Sequence, residues 1–196
     1  YLGSKRTLVP LIGKLAAASG ASAALDLFTG TTRVAHALKT AGMKVTAVDT
    51  ASYSKVFADT WIALDKDTVP VSELSDAIKH LATLPGESGY FTQSFCLDAR
   101  YFQPHNGERI DAIRDHIEAN YRDSWLYHPL LTSLLLAADR VDSTTGVQMA
   151  YLKSWSRRSA SNLKLTDPEL LPGSGKAIRG DALEVTPLLP NADLAY

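Results

Sequence analysis

Residues 23–49, AALDLFTGTTRVAHALKTAGMKVTAVD, decide the fold class of this chain. The apolar run over residues 23–28 predicts a strand, and the polar residues after it predict a tight turn. Apolar residues at helical spacing follow and predict a helix that ends at Gly42. The alternating, β-branched residues 44–48 predict a second strand with Asp49 at its tip. Strand, glycine-containing turn, helix and strand form a βαβ unit, which indicates a parallel sheet.

The rest of the chain divides into helical and strand-like stretches. Helical spacing of apolar residues covers residues 8–15, 56–62, 71–84, 109–121 and 129–138. Breaks are expected at Pro85-Gly86, His105-Asn106-Gly107 and residues 143–146. Strand patterns return at residues 176–178 and 192–195. We therefore predict an α/β fold, in which a Rossmann-like sheet from residues 1–52 and 172–196 is interrupted by a mostly helical insertion over residues 53–171.

Composition bounds the class of protein. The 196 residues are 45% hydrophobic and 21% charged with a net charge of -1, close to an ordinary globular protein. The sequence has no apolar run of the roughly 18 residues that a membrane span needs, and no signal-peptide pattern. The single Cys96 cannot form an internal disulfide and fits a cytoplasmic setting. The histidines and this cysteine lack ligand spacing, so no metal is expected.

The βαβ unit also carries a candidate ligand site. Gly30 follows the first strand, where a glycine lets the backbone approach a ligand and the next helix offers free N–H groups. Asp49 ends the second strand, where acids often hold ribose hydroxyls. A glycine in a tight turn and a surface aspartate would give the same pattern. Thr32 and His36 stand where a dinucleotide motif would carry glycines, which disfavours NAD.

In order along the chain, Tyr1-Leu2-Gly3-Ser4-Lys5, Asp26-Leu27-Phe28-Thr29-Gly30 and Asp49 resemble the opening of the DNA adenine methylase family. The resemblance implies a class I methyltransferase sheet and S-adenosylmethionine as cofactor. It also implies a cofactor-binding set, namely Tyr1, Lys5, Asp26, Phe28, Gly30, Asp49 and Asp181. Within that set, Tyr1 and Lys5 would contact the methionine and adenosine portions, and Asp49 the ribose.

Two members of this pattern leave questions open. Asp181 follows Gly180, which in the family places an acid near the cofactor's adenine, although an aspartate there could equally cap a helix. Thr32 stands where the family usually has a second glycine. Because a β-branched residue restricts the backbone, we expect the turn to have an ordinary conformation at Thr32.

The insertion resembles that of a subset of these enzymes and carries a basic segment. The likeness includes residues 106–114, 137–140 and 151–155. In the first of these, Asp111 can pair locally, and a structural salt bridge is expected for at least one of Arg109 and Arg114. Between Ser143 and Thr166 there is no acid, and the cations there are Lys153, Arg157, Arg158 and Lys164. This segment predicts contact with the phosphates of double-stranded DNA. A solvated basic loop with Trp155 in the core is the alternative.

The family's catalytic Asp-Pro-Pro-Tyr tetrapeptide, which holds the flipped adenine, is not present in these residues. We expect it just after Tyr196, so that the C-terminal part of the catalytic domain lies outside this chain, which contains no catalytic residue itself. The predicted function is methyl transfer from S-adenosylmethionine to the exocyclic amine of adenine in DNA, by a monomer. A catalytically incomplete module that binds cofactor or DNA, or a methyltransferase acting on RNA or a small molecule, is the alternative.

Overall fold

The computed structural model describes residue 5 and residues 7–144 and 154–196. The chain divides into two compact units. Residues 3–70 with 169–196 form what we call the sheet unit, and residues 71–168 form the helical unit. The predicted insertion over residues 53–171 starts earlier in sequence than the helical unit, which starts at Val71. Residues 53–70 belong to the sheet unit because Ala58 and Ile62 are buried in its core.

Four parallel strands form one sheet in the order β3-β2-β1-β4, which confirms the predicted parallel sheet. The strands are β1 (Ala23–Asp26), β2 (Lys44–Asp49), β3 (Lys176–Arg179) and β4 (Leu194–Ala195). In the register of the sheet, Asp26 lies beside Ala47 and Asp49 beside Arg179. The carboxyl ends of β1, β2 and β3 therefore meet at one edge of the sheet.

Helices account for most of the remaining described chain. In the sheet unit the α-helices are α1 (Val9–Ala18), α2 (Arg33–Thr40), α3 (Ser52–Ala58) and α7 (Ala182–Val185). A π-helical turn (Asp59–Ala63) continues α3, and two 3-10 turns cover Lys66–Thr68 and Thr186–Leu188. In the helical unit they are α4 (Val71–Thr83), a π-helical segment (Thr92–Asp98), α5 (Pro104–Tyr121), α6 (Tyr127–Val141) and a 3-10 turn (Arg157–Ala160). All five predicted helical stretches therefore exist, with shifted ends.

A buried lysine joins α2 to the end of the π-helical turn. Lys39 of α2 is only 4% exposed, and its Nζ donates to the carbonyl oxygens of Trp61 (3.0 Å), Ile62 (3.0 Å) and Leu64 (2.7 Å). Burial lowers the pKa of Lys39 to about 8, an effect that attraction to Asp65 opposes. Three carbonyl acceptors satisfy the ammonium donors, so this side chain closes the end of the π-helical turn where no intrahelical partner exists.

One of the predicted breaks lies inside a helix of the helical unit. His105-Asn106-Gly107 was expected to form a turn, but α5 begins at Pro104 and includes all three residues. Proline is favoured at the first helical position because its missing N–H has no partner to lose there. A side chain at position 107 would put its Cβ 2.3 Å from Cys96 Sγ, so the glycine serves close packing rather than a turn.

Asp111 on α5 holds the start of the π-helical segment. Its buried carboxylate accepts from the backbone N–H groups of Gly89 (2.9 Å), Phe91 (2.9 Å) and Thr92 (2.7 Å), and from Thr92 Oγ1 (2.7 Å). Burial acts to raise the pKa of Asp111, but these hydrogen bonds outweigh it and leave the pKa lowered. The expectation that Asp111 pairs with a neighbouring arginine is therefore wrong.

Candidate functional site

A buried carboxylate, that of Asp26, holds the turn after β1 in place. Asp26 is 1% exposed, and its Oδ2 accepts from the Ala35 backbone N–H (3.0 Å) and from Thr29 Oγ1 (3.1 Å). Burial raises the pKa of Asp26, and hydrogen bonds from Thr29, Ala35 and Phe28 oppose that rise. Asp26 therefore ties the turn to the first turn of α2, and its carboxylate faces the protein interior.

Gly30 and Asp49 are joined directly across the ends of β1 and β2. The Gly30 N–H donates to Asp49 Oδ2 (2.8 Å), and the Ala51 N–H donates to Asp49 Oδ1 (2.9 Å). Gly30 has φ 51°, a conformation that glycine adopts without steric cost. The Gly180 N–H also donates to the Asp49 carbonyl oxygen (3.0 Å), which brings the end of β3 to the same place.

Phe28 lies on this turn with its ring in solvent. The side chain is 78% exposed although it is large and apolar. This apolar ring lies at the carboxyl ends of the parallel strands, two residues before Gly30, which binds the half-buried Asp49 carboxylate. The structure thus brings four of the predicted residues, Asp26, Phe28, Gly30 and Asp49, onto one edge of the sheet.

Thr32 differs from the expectation. Its backbone is left-handed, with φ 60° and ψ 11°, at the N-cap position of α2. The neighbours hold it there, since its N–H donates to the Thr29 carbonyl (2.7 Å) and its Oγ1 donates to the Thr31 carbonyl (2.7 Å). The turn therefore has the conformation that a glycine would favour, despite the β-branched side chain, and the expectation of an ordinary conformation is wrong.

Asp181 and Lys5 occupy different surroundings. Asp181 Oδ1 accepts from the Leu183 N–H (2.8 Å), so this residue is the N-cap of α7. Lys5 is exposed and precedes α1, and its carbonyl accepts hydrogen bonds from the Leu8 and Val9 N–H groups. Tyr1 lies outside the described residues.

The predicted DNA-binding cations are not equivalent. Arg157 and Lys164 are exposed, and among the described residues no carboxylate forms an ion pair with either side chain. Arg158 instead forms an ion pair with Asp142 and also donates from Nε to the Asp142 carbonyl (3.0 Å). Lys153 lies outside the described residues. The Arg158 side chain is therefore occupied by its contacts with Asp142, unlike the side chains of Arg157 and Lys164.

Asn106 fastens this segment to α5. The residue is fully buried, and its Nδ2 donates to the carbonyls of Ser161 (2.8 Å) and Ser159 (3.3 Å). Its Oδ1 accepts from the Leu163 N–H (2.8 Å). All three hydrogen bonds lead to the basic segment, so a buried amide on α5 fixes the course of the chain that carries Arg157.

The roles of Asn106 and Lys39 were not predicted from the sequence. Asn106 was expected to form part of a break, and no role was predicted for Lys39. No local pattern marks either residue, since Asn106 stands between His105 and Gly107, and Lys39 between Leu38 and Thr40. A salt bridge was expected for at least one of Arg109 and Arg114, and Arg114 forms one with Asp115 (3.5 Å). Arg109 donates to the Ala82 carbonyl (2.9 Å).

The family model for the D12 class N6 adenine-specific DNA methyltransferases matches residues 1–196. The chain belongs to this family. It is 34% identical over 148 residues to the type II methyltransferase M.NlaIII of Neisseria lactamica, which covers 71% of this chain and 43% of that protein. It is 30% identical over 216 residues to the modification methylase StsI of Streptococcus sanguinis, which covers 100% of this chain and 32% of that protein.

The chain spans less than half the length of these two relatives. No solved structure matches it significantly. Over the described ranges, none of the helices combines the length and the apolar character required to cross a membrane.

Proposed function

We propose that the whole protein is a site-specific methyltransferase that transfers a methyl group from S-adenosylmethionine to the exocyclic amine of adenine in DNA. Membership of the family supports the reaction class, and methyltransferases in general use this cofactor. The observation that carries the proposal is the joined edge of the sheet, where the Gly30 N–H meets the Asp49 carboxylate beside an exposed Phe28. The lone thiol of Cys96 fits a cytoplasmic enzyme.

In this proposal the residues around the edge have distinct tasks. S-adenosylmethionine supplies the methyl group when bound. Asp49 accepts one N–H on each oxygen and retains further lone pairs, with which it would accept the ribose hydroxyls. Phe28 would cover an apolar part of the cofactor. Asp26 would act without contacting the cofactor, because its carboxylate is buried and keeps the turn in shape.

The remaining members of the predicted set complete the cofactor site in this proposal. Lys5 and Tyr1 would reach the cofactor from the N-terminal segment, as the family resemblance implies. Asp181 caps α7 by accepting one N–H on Oδ1, and its other oxygen, which the cap does not use, would accept from the adenine. Gly180, which donates to the Asp49 carbonyl, keeps this acid next to the edge of the sheet.

The helical unit would supply contact with DNA and thereby target recognition. Arg157 and Lys164 are exposed cations without an ion-pair partner among the described residues, which suits contact with phosphates. Lys153 belongs to the same segment in sequence, and Arg158 would act by holding the segment in place through Asp142. The names of the two relatives, a type II methyltransferase and a modification methylase, favour a role in restriction and modification.

Phe28→Ala tests the cofactor site. Because the ring is 78% exposed, its removal should leave the melting temperature of the free protein nearly unchanged. If the ring is buried on binding, its loss should weaken S-adenosylmethionine by roughly 10–100-fold, the equivalent of about 1.5–3 kcal/mol for burying a phenylalanine. Isothermal titration of both proteins with S-adenosylmethionine measures the difference.

Leu15→Ala is the matched control, since Leu15 on α1 is also an exposed apolar residue. Equal affinity of the Phe28→Ala variant and the native protein would remove Phe28 from the site. No binding of S-adenosylmethionine by the native protein would reject the cofactor assignment. Sequencing of methylated bases in DNA from cells that express the full-length gene tests the transfer itself.

A further inference from the structure

Three separate stretches of the helical unit meet at the start of the basic segment. The Ser143 N–H donates to the Tyr101 carbonyl (2.7 Å), and the Ser156 N–H donates to Ser143 Oγ (2.9 Å). Ser156 Oγ also donates to the Asp142 carbonyl (3.0 Å). Residues around 101, 142–143 and 156 are therefore fixed against one another by backbone and hydroxyl groups.

Arg100 extends this junction with a cation. Its guanidinium carbon lies 5.3 Å from the ring centroid of Trp155, within the range of a cation–π contact. Trp155 is half-buried, and the Arg100 side chain is exposed. The indole therefore supports the guanidinium at the surface, beside the stretch that carries Arg157.

The backbone of Arg100 is unusual. With φ 55°, it is one of two non-glycine residues with positive φ in the described chain, the other being Thr32 in the turn after β1. A side chain makes this region unfavourable relative to the right-handed conformation, because the Cβ approaches the following carbonyl oxygen. Such a conformation persists where the surrounding contacts impose it, and these positions are concentrated at functional sites.

Within the described ranges, no carboxylate pairs with Arg100. Neither Arg100 nor Arg157 forms an ion pair with a carboxylate among the described residues, whereas Arg158 is paired with Asp142. A guanidinium on an aromatic face keeps its N–H donors in a fixed plane, the geometry that recognises a phosphate group. Arg100 combines these properties with a place at the start of the basic segment.

We propose that Arg100 is a further phosphate-contacting residue, supplied by the turn after the π-helical segment and acting on the same DNA as Arg157. This inference rests on the proposed contact between DNA and the basic segment. It extends the interface to a residue outside the stretch between Ser143 and Thr166, brought there by Trp155 and the Tyr101–Ser143 hydrogen bond.

The test is the salt dependence of binding to duplex DNA, measured by fluorescence anisotropy with the full-length protein. Loss of one phosphate contact should make the slope of log K against log salt shallower by about 0.9, which corresponds to roughly eightfold weaker binding at about 0.1 M salt. Arg100→Gln and Arg157→Gln should each show this change. Arg100→Lys should retain the slope of the native protein, because the charge remains.

Arg100→Gly guards against a misfolded variant, because glycine adopts a φ of 55° without strain. It should match Arg100→Gln. A purely structural role would lower the fraction of folded protein and leave the slope of the remaining binding unchanged. Arg114→Gln, an exposed arginine on α5 beside Asp115, is the control and should keep the native slope.

The outcomes separate the inference from the function on which it rests. Native slopes for both neutral Arg100 variants, with a shallower slope for Arg157→Gln, would overturn the assignment of Arg100 and leave the basic segment in the interface. Native slopes for all three variants would overturn the DNA contact of the segment as well. Shallower slopes for Arg100→Gln and Arg100→Gly, with recovery in Arg100→Lys, are the result expected.

Discussion

Asn106→Ala should loosen the basic segment of the helical unit. The substitution removes the hydrogen bonds to Ser161 (2.8 Å), Ser159 (3.3 Å) and Leu163 (2.8 Å) at a position with no solvent exposure. A neutral hydrogen bond contributes about 1 kcal/mol, and a buried group left without a partner costs about 1–3 kcal/mol. Because Ser161 is exposed and its carbonyl can partly turn towards water, whereas Ser159 is buried, we expect a total loss of roughly 2–4 kcal/mol.

Hydrogen exchange measures this effect where it occurs. The Leu163 amide donates to Asn106 Oδ1 in the native protein, so its protection should fall by a factor that corresponds to the lost free energy, on the order of 30-fold or more for 2 kcal/mol. Urea denaturation of the same variant gives the change in the free energy of unfolding. Asn120→Ala is the matched control, since Asn120 is an exposed residue of α5 that bonds only to the His116 carbonyl of its own helix (2.9 Å).

The reasoning would be refuted by unchanged protection at Leu163, or by a loss of unfolding free energy no larger than that of Asn120→Ala. Either result would mean that the basic segment keeps its course without the buried amide.

Two further substitutions test the packing of the helical unit. Gly107→Ala should lower the free energy of unfolding by about 1–3 kcal/mol or more, because the new Cβ would lie 2.3 Å from Cys96 Sγ. Gly13→Ala is the control and should be tolerated, because its new Cβ would lie 3.8 Å from Ala37 Cβ. Equal urea midpoints for the two variants would contradict this packing. Asp111→Asn should destabilise the protein near neutral pH. Because the folded-state pKa of Asp111 is lowered, its contribution is present above the unfolded pKa and is lost as the pH falls through the folded pKa, so the difference from the native protein should narrow in acid. A constant difference between pH 7 and pH 2 in urea titrations would show that the carboxylate charge is not involved.

The βαβ unit could be predicted because its signals are local. Apolar spacing, the glycine turn and the β-branched second strand all lie within residues 23–49, and the structure places β1, α2 and β2 there. The π-helical segment Thr92–Asp98 could not be predicted in this way. Its start is held by Asp111, and its packing against Gly107 involves a residue that local rules interpreted as a break.

The candidate site was predicted in position but not in every contact. Gly30 and Asp49 were expected at one edge because parallel strands bring their carboxyl ends together, and the hydrogen bond between them agrees with that argument. The direction of the Asp26 carboxylate was not predictable. It depends on the packing of α2 over β1, which places the Ala35 N–H 3.0 Å from the carboxylate.

The sequence by itself determined the parallel sheet, the order of its first elements, the family resemblance and the concentration of positive charge between Ser143 and Thr166. These properties are readable because each depends on neighbours along the chain. Only the tertiary structure decided that residues 53–70 pack with the sheet, that Arg158 is paired with Asp142 while Arg157 is not, and that Asn106 holds the basic segment. These depend on contacts between residues far apart in sequence, where burial and hydrogen-bond geometry select among side chains that local patterns treat as equivalent.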